Sequence, residues 1–361
     1  MNKKYLGIIG ATGQVGVGAV KTLLNNYSAS LLLGGRKIAK LMEQFGEESE
    51  TMKYQAVDVF NEASIQAFCE NCYLVINAAG PSSLILARVA EACLVTNTTY
   101  IDVSGDKAMK LAIEDALAKH NNPITCAISG GVYPGLTEMF VAYLLRQKWV
   151  ERISCYFAGK GSFSETGAYD IISSLEKDEG YGMSYYRNGD IKKLTSGIGS
   201  QKLLPAPFHQ VYTLPLMNEE FIACIKEYRA ANAFFYNTFA TSKILSDFIM
   251  IKAMQLYKTE EEKRASAHRL IETYHTQDNE HEGFIIYVET EENGKTQTSY
   301  LQSNMNWNYG SGVVAACVAM QMQERNSTNK KGCYFAQSIV DVEELMQQLI
   351  KTECISIIGE K

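Results

Sequence analysis

The chain has 361 residues, a net charge of −6, 46% hydrophobic and 20% charged residues. This length and composition predict about two domains with sizeable cores and exclude a mainly disordered chain. The mild negative charge argues against a nucleic-acid partner, and the sequence contains no apolar stretch of ~18 residues that would predict a membrane-spanning helix.

The first predicted elements are a strand, a glycine-rich turn and a helix. Tyr5 to Ile9 is a short apolar run, and a helical stretch from 14 to 25 follows the turn. In such a turn the first glycine permits a tight bend, the second lets a pyrophosphate approach the backbone, and the third lets the helix pack on the strand. The N–H groups at the helix start then face the phosphates. We expect a dinucleotide to contact Gly10, Thr12, Gly13, Gln14, Val15 and Gly16.

The second predicted strand, near 29–34, ends in a pair of cations. An Asp or Glu at this point would bind the ribose 2′-hydroxyl of NAD, but here Gly34 and Gly35 are followed by Arg36 and Lys37. Two cations suit a 2′-phosphate. The sequence therefore predicts NADP as the cofactor.

The remaining N-terminal elements continue to alternate strands and helices. Strands are predicted near 53–57, 73–77, 99–102 and 124–128, and helices near 37–45, 61–70, 82–94 and 106–119. This alternation is typical of an α/β Rossmann fold with a doubly wound parallel sheet. Three loop segments at the strand ends are further expected cofactor contacts: Asp58 near the adenine, the small residues Ala78, Ala79, Gly80 and Pro81, and Ser104.

From about residue 151 the pattern changes to a second, α+β domain. Segments such as RISCYFAG, HQVYTLPL, GFIIYVET and KTQTSYLQS predict a largely antiparallel sheet, and the turn at 291–294 predicts a hairpin. Helices are expected at 165–177, along the apolar and aromatic run from about 217 to 258, and at 260–274. A final helix–helix–strand unit from Tyr309 returns to the α/β pattern of the first domain. We expect domains at 1–135, 136–308 and 309–361, the last returning to the Rossmann domain.

The cysteines and histidines predict no metal site. Nine cysteines follow no regular spacing and lie mostly in apolar runs, which favours buried thiols in a cytoplasmic protein. Cys69 and Cys72 form a CxxC at the end of a predicted helix without a second ligand pair. His275 and His281 lie in a polar loop with no third ligand nearby. The N-terminus shows no signal-peptide cleavage pattern.

Several segments together resemble the saccharopine dehydrogenase-like oxidoreductases. They are VINAAGP (75–81), AC (92–93), YIDVSGD (100–106) and GGVYPGLTEM (130–139), with weaker likeness at 161–169 and 308–320. The resemblance implies a Rossmann domain, an NADP(H) or NAD(H) cofactor and a substrate domain inserted before a C-terminal return. The GATG turn departs from the more common GxGxxG, and Asp106 stands where the family has its acidic strand end.

The second domain bears on the substrate. Residues 151–310 hold five arginines but 23 of the 37 aromatic residues. A saccharopine site would be rich in Arg and Lys because that substrate carries several carboxylates, so the composition favours an apolar or aromatic substrate. Enzymes similar to this family include thiazolinyl imine reductases of siderophore assembly lines, which reduce a C=N bond in a carrier-tethered intermediate.

Reduction of C=N needs a hydride at carbon and a proton at nitrogen. Candidate proton donors are Asp106, Tyr133, Glu165, Tyr169 and His209. Each has a structural alternative; Asp106, for example, would equally well cap the helix that begins at Lys107. A solvent-derived proton is a further alternative.

Three functions remain open from the sequence. The first is an NADPH-dependent imine reductase acting on a small or carrier-tethered substrate. The second is an amino-acid dehydrogenase of the saccharopine or carboxynorspermidine type, and the third is a non-enzymatic NADP-binding redox sensor. The well-developed second domain favours an enzyme, and the aromatic stretch 217–258 is a candidate homodimer surface.

Overall fold

A computed structural model of the protein describes residues 3–146, 148–161, 163–176, 181–275, 281–324 and 330–358. The chain divides into two compact units. The first contains residues 1–136 and 308–352, and the second contains 137–307 and the segment from 353.

The strands are, in chain order, β1 (Tyr5–Ile9), β2 (Leu31–Gly35), β3 (Met52–Ala56), β4 (Cys72–Asn77), β5 (Thr99–Asp102), β6 (Thr125–Ile128), β7 (Arg152–Lys160), β8 (Tyr181–Gly182), β9 (Ser184–Arg187), β10 (Asp190–Lys193), β11 (Gln201–Leu203), β12 (Gln210–Met217), β13 (Asn232–Phe239), β14 (Gly283–Glu292), β15 (Lys295–Ser303), β16 (Gly332–Phe335) and β17 (Ser356–Ile358). The helices are α1 (Gln14–Asn26), α2 (Ile38–Phe45), α3 (Glu62–Cys69), α4 (Ser82–Ile85), α5 (Arg88–Val95), α6 (Lys107–Ala118), α7 (Leu136–Leu145), α8 (Glu165–Glu176), α9 (Glu219–Tyr228), α10 (Ser242–Ala253), α11 (Glu260–His275), α12 (Trp307–Glu324) and α13 (Val342–Lys351).

The first unit is built on a parallel sheet with strand order β16-β6-β5-β4-β1-β2-β3. Its central strands are apolar and buried, as expected when helices cover both faces of a sheet. The chain runs outward from β1 through β2 to β3 and then returns to β4 on the other side of β1. The direction of winding therefore reverses between β1 and β4, and ligands bind at such a reversal, beyond the carboxyl ends of the strands.

The second unit contains a mixed sheet whose main path is β10-β9-β13-β7-β14-β15-β17, with β12 also paired to β13. Most pairs are antiparallel, while β13 and β7 are parallel. Asn293 and Gly294 have positive φ angles at the tight turn between β14 and β15, as a two-residue hairpin turn requires. The predicted fold class, a Rossmann unit plus a second α+β unit, is confirmed.

Three predicted elements differ from the structure. The run 217–258 is not one helical stretch, because its middle part is strand β13, which pairs with β7 and β12. Alternating burial in Ala233–Phe235 fits a pleated strand, so tertiary pairing outweighs local helical character. The helix predicted at 82–94 is interrupted at Leu86, whose φ is 47°.

The third difference concerns the last strand. The sequence predicts that all of 309–361 returns to the Rossmann domain, but β17 pairs with β15 of the second unit. A strand at the edge of a sheet offers unpaired N–H and C=O groups, and β17 satisfies those of β15. Helices α12 and α13 and strand β16 lie in the first unit, apart from the first residue of α12.

All nine cysteines fall within the described residues; all are buried and none forms a disulfide. Burial raises the pKa of Cys72, as it does for Cys93 and Cys126, and keeps these thiols protonated. Across the described ranges, no group of His, Cys, Asp and Glu side chains is arranged to hold a metal ion. No helix in the described part of the chain is long and apolar enough to cross a membrane.

Candidate functional site: a cofactor turn and the loops around it

The glycine-rich turn lies at the point where the winding of the sheet reverses. Gly10 has a φ of +80°, a conformation that favours glycine. The N–H groups of Gly10 and Ala11 donate to the carbonyl oxygen of Gly34 at 3.0 and 3.1 Å, which joins the turn to the end of β2. A Cβ atom on Gly10 would lie 2.7 Å from the backbone of Ala78 and Ala79. The turn, the end of β2 and the loop after β4 are thus neighbours.

Gly16 and Gly13 have different surroundings. A Cβ atom on Gly16 would lie 2.3 Å from the Gly10 carbonyl oxygen, so this glycine is required by packing within the chain. Around a Cβ atom on Gly13, the sole described atom within 4 Å would be the Gly10 oxygen, at 3.4 Å. The open space beside Gly13 is therefore available to a ligand.

The start of α1 supplies the matching donors. Gly13 is the N-cap, and the first turn contains no acidic residue. The first N–H groups of a helix have no acceptor within the helix, and those of α1 begin at Gln14 and Val15. Gln14 is exposed, while Thr12 and Val15 are half-buried. Open space beside a glycine, free helix-start donors and the absence of an acid in that turn fit a pyrophosphate.

Arg36 and Lys37 follow directly after β2, and both side chains are exposed. Lys37 is the N-cap of α2. Asp58 is exposed beyond the end of β3, where its carboxylate accepts a hydrogen bond from the Phe60 N–H at 2.9 Å. Because β2 and β3 are adjacent and parallel, these three residues lie on the same edge of the sheet.

The loops after β4 and β5 are joined by a buried network. Asp102, the last residue of β5, is 1% exposed. Its Oδ2 atom accepts hydrogen bonds from Asn77 Nδ2 at 2.9 Å and from the Tyr100 hydroxyl, and its Oδ1 atom accepts from the Ser104 N–H at 2.8 Å. Asn77 Oδ1 accepts from the Ala79 N–H at 3.2 Å. Burial and then the Asp102 charge raise the pKa of Tyr100 well above its ordinary value, so its hydroxyl remains a donor.

Two predicted proton donors, Asp106 and Tyr133, lie in the first unit. Asp106 is the N-cap of α6, and its carboxylate accepts a hydrogen bond from the Met109 N–H at 2.7 Å. Tyr133 is half-buried in the loop between β6 and α7. The Val132 N–H donates to Ser311 Oγ at 3.0 Å and holds this loop beside α12. Asp106 thus has a structural role as the cap of α6, and the loop that carries Tyr133 is held against α12.

The other three predicted donors lie in the second unit. Glu165 is the exposed first residue of α8. Tyr169, one helical turn later, is buried, and its hydroxyl donates to Glu260 at 2.6 Å. Burial and that hydrogen bond raise the pKa of Tyr169. His209 is exposed in the turn between β11 and β12 with a φ of 53°. Within this unit, Glu165 and Tyr169 share a helix and His209 stands on a separate turn.

Sequence reasoning missed Asn77, Tyr100 and Asp102. All three lie in or at the end of apolar strands, within the segments VINAAGP (75–81) and YIDVSGD (100–106), but none of them is among the predicted site residues. A signal was nevertheless present, because an Asp in an otherwise apolar buried strand needs hydrogen-bond donors. The two residues that end neighbouring strands, Asn77 and Asp102, are directly paired in the sheet, but strand order is not visible in the sequence.

Comparison with known proteins gives the class of this molecule. Residues 6–124 match the family model described as the saccharopine dehydrogenase NADP binding domain. No curated protein sequence matches the chain. The N-terminal part is thus an NADP-binding domain of the saccharopine dehydrogenase type, and its cofactor is NADP. The resemblance inferred from the sequence is confirmed for residues 6–124.

Three solved structures resemble the chain to different degrees. Saccharopine dehydrogenase (L-Glu forming) from Saccharomyces cerevisiae matches with a TM-score of 0.69 at 14% identity, covering 99% of this chain and 100% of that one. DAP dehydrogenase from C. glutamicum has a TM-score of 0.48 at 12% identity, covering 97% and 99%. An NADP complex of a short-chain dehydrogenase/reductase from Veillonella parvula has a TM-score of 0.28 at 19% identity, covering 35% and 67%. The first of these matches supports the fold over the whole chain.

Proposed function

We propose that this protein reduces the C=N bond of a cyclic or conjugated imine, in particular a thiazolinyl ring on an intermediate of nonribosomal siderophore biosynthesis. NADPH, when bound, supplies the hydride for the imine carbon. The chain would hold the cofactor through the α1 turn and the cations after β2, orient the imine and deliver a proton to its nitrogen. The observation that carries the proposal is an aromatic cluster in the second unit.

The aromatic cluster consists of Phe157, Phe163, Tyr274 and Trp307. The Phe163 ring lies 5.0 Å from the Trp307 ring and 4.4 Å from the Tyr274 ring, and Phe157 lies 6.5 Å from Trp307. A Cβ atom on Gly159 would lie 1.9 Å from the Trp307 ring, so a glycine is required for that ring to rest on β7. Phe157, Phe163 and Trp307 remain half-buried.

Partly exposed rings in this arrangement favour a planar, conjugated substrate, because such rings stack against flat π-systems. A substrate with several carboxylates would instead require Arg forks. Of the five arginines between 151 and 310, Arg269 is paired with Asp247 and Arg264 lies on the Tyr169 ring. The cluster and the scarcity of Arg therefore support an aromatic imine over a polycarboxylate.

Tyr133 is the proton donor that we favour among the five candidates. Asp106 is engaged in capping α6, Tyr169 donates to Glu260, and His209 belongs to an exposed turn. The loop that carries Tyr133 follows the carboxyl end of β6, which is the edge of a parallel sheet where ligands bind. Glu165 and water remain the alternatives.

A second function, that of an amino-acid dehydrogenase, is supported by a different observation. The yeast saccharopine dehydrogenase matches this chain over its whole length. Its identity of 14% supports a common fold and leaves the substrate open. The two functions therefore have to be separated by turnover.

The deciding experiment follows NADPH oxidation with two substrates in parallel. One is an aryl-thiazoline, and the other is 2-aminoadipate semialdehyde with glutamate. Turnover of the thiazoline supports the imine reductase. Turnover of the second pair and none of the first would replace it with the amino-acid dehydrogenase. Tight NADPH binding without turnover of either would favour the NADP-sensing function.

A substitution at Tyr133 tests the proposed proton donor. Tyr133→Phe should lower the rate by about 10²–10⁴ if this hydroxyl is the general acid, while Tyr143→Phe serves as the control.

A fluorescence measurement tests the substrate site. Trp149→Phe removes a Trp that is 55% exposed and leaves Trp307 as the fluorescent reporter. Quenching of that signal by the aryl-thiazoline supports the aromatic cluster as its site, and an unchanged signal contradicts it.

We also propose that two copies of the chain associate through one face of the second sheet. This face, here called the ring ladder, carries the half-buried rings of Tyr185, Phe234, Tyr236, Tyr287 and Tyr300 around Tyr156, which is itself buried in a core cluster with Leu204 and Phe208. Neighbouring rings along it lie 4.6–6.3 Å apart. Arg152 and Lys202 lie over these rings, and Lys202 also pairs with Glu289. A face with apolar rings and both charges is complementary to a second copy of itself.

Light scattering after size-exclusion chromatography tests the association. The parent chain should elute as a dimer, and Phe234→Glu should convert it to a monomer with an unchanged far-UV spectrum. Phe60→Glu, at an exposed ring of the first unit, is the matched control and should remain dimeric. A monomeric parent chain would contradict the proposal.

A further inference from the structure

The structure contains an acid that neither the hydride transfer nor the proton transfer uses. Asp102 is 1% exposed, yet its carboxylate accepts hydrogen bonds from three donors: the Asn77 amide, the Tyr100 hydroxyl and the Ser104 N–H. Removing a carboxylate from water is costly unless such bonds replace the water. Replacing hydrogen-bonded partners by apolar groups of the same shape can be nearly neutral or stabilising. Stability of the fold is therefore a weak reason for this acid.

The position of the network suggests a different reason. Asn77 and Asp102 are register partners at the carboxyl ends of β4 and β5. Asn77 Oδ1 accepts from the Ala79 N–H at 3.2 Å, and Asp102 Oδ1 accepts from the Ser104 N–H at 2.8 Å. A continuous series of hydrogen bonds thus connects the loop after β4 with the loop after β5.

The first of these loops also packs against the cofactor turn. The Ala78 N–H donates to the Ile9 carbonyl at 2.9 Å, and Gly10 has no room for a side chain against Ala78 and Ala79. A displacement of the loop after β4 would therefore also shift the glycine-rich turn, which we assign to the pyrophosphate. Backbone bonds also hold these loops, including one from the Ser129 N–H to the Ser104 carbonyl at 2.7 Å, and the side chains of Asn77 and Asp102 add a direct link between the two loops.

We infer that Asp102 is a positioning residue for cofactor binding: through Asn77 and Ser104 it holds the loops after β4 and β5 in the geometry that receives NADP. The inference rests on the cofactor contacts proposed for Ala78–Pro81 and Ser104. It assigns Asp102 no contact with the hydride or the imine. Because these loops would contact parts common to both dinucleotides, loss of the network should weaken NADPH and NADH alike.

Asp102→Asn is the main test. In either orientation the NH2 of the new amide faces a donor: the Ser104 N–H in one, or the Asn77 amide and the Tyr100 hydroxyl in the other. We expect the Kd values of NADPH and NADH, measured by nicotinamide fluorescence well below the unfolding temperature, to rise by the same factor of about ten or more. Arg36→Ala is the contrasting control, since it should affect NADPH alone.

Rescue separates positioning from general damage. In the double variant Asn77→Asp, Asp102→Asn, one carboxylate and one amide still face each other with their places exchanged. It should recover a substantial part of the lost affinity for both cofactors. Asn77→Ala, which removes the link to Ala79 and leaves the Tyr100 and Ser104 bonds, should weaken both cofactors even if Asp102→Asn fails to fold.

Two results would overturn the inference. One is an unchanged Kd in Asp102→Asn or Asn77→Ala with only a lower melting temperature, which would make the network purely structural. The other is a loss confined to NADPH. Failure of every imine to react would defeat the proposed function and leave these binding measurements intact, so the two failures are distinguishable.

Discussion

At the scale of single residues, cofactor selectivity depends on the cations that follow β2. Arg36 and Lys37 are exposed at the edge of the sheet that also carries the glycine-rich turn. A charge-assisted contact to a 2′-phosphate contributes about 1.5–3 kcal/mol. Arg36→Ala should therefore weaken NADPH binding about tenfold to a hundredfold and leave NADH binding nearly unchanged. Titration with each cofactor measures the two affinities. An equal loss of affinity for NADPH and NADH would contradict the assignment of Arg36 to the 2′-phosphate.

Two glycines of the turn offer a matched pair of substitutions. Gly13→Ala meets open space, and the φ of Gly13, −76°, is acceptable for alanine. We expect it to cost less than about 1 kcal/mol of stability but to block the approach of the pyrophosphate. Gly16→Ala would bring a Cβ atom to 2.3 Å from the Gly10 oxygen and should destabilise the fold itself.

Chemical denaturation and cofactor binding, measured on both variants, separate these effects. The expected pattern is a stable Gly13→Ala protein with poor affinity and a destabilised Gly16→Ala protein. If Gly13→Ala binds NADPH as well as the parent does, the pyrophosphate does not pass close to this residue.

At the scale of elements, the first unit depends on the close crossing of α1 and α12. A Cβ atom on Gly312 would lie 1.9 Å from the Val15 carbonyl oxygen, and one on Gly18 would lie 2.2 Å from the Tyr309 oxygen. Two glycines at the crossing allow the backbones to approach each other. This contact joins the C-terminal segment to the helix that starts the cofactor site.

Gly312→Ala should therefore destabilise the protein by about 1–3 kcal/mol or more, because the two backbones must move apart. Gly35→Ala is the control, since its Cβ atom would meet the Leu41 side chain at an ordinary 3.6 Å. Urea denaturation compares the two variants. Equal midpoints would show that the crossing can relax at little cost.

At the scale of the whole molecule, the stability should fall at alkaline pH. Burial raises the pKa of Cys333 and of Cys354 to about 12, and burial and neighbouring groups raise that of Tyr73 to about 12. A group whose pKa is higher in the folded than in the unfolded chain makes its full contribution to stability below its unfolded pKa. This contribution is lost as the pH rises from the unfolded pKa toward 12. Each of these thiols should cost about 1–2 kcal/mol of unfolding free energy by pH 10.

The measurement is the free energy of unfolding in urea at pH 7, 9 and 10. A decline that begins near pH 8.5 is expected, and Cys333→Ala should decline less steeply than the parent. A flat profile to pH 10 would mean that these thiols ionise equally in the folded and unfolded chains.

Local patterns in the sequence determined much of this protein. Strand–turn–helix spacing around Gly10, Gly13 and Gly16 predicted the Rossmann turn, and the cations after the second strand predicted NADP. The hairpin at Asn293 and Gly294 followed from turn chemistry. These features depend on residues close together in the chain, so periodicity and motif spacing suffice to find them.

Tertiary structure decided the features that depend on pairing between distant segments. The aromatic residues around Phe235 became strand β13 because β7 and β12 lie on either side of it. The last strand joined β15 because that edge needed a partner. Asn77 and Asp102 became one network because β4 and β5 are neighbours in the sheet. No local pattern encodes which strands meet, since many orders bury the same apolar faces, and the choice among them is made by the packing of the whole chain.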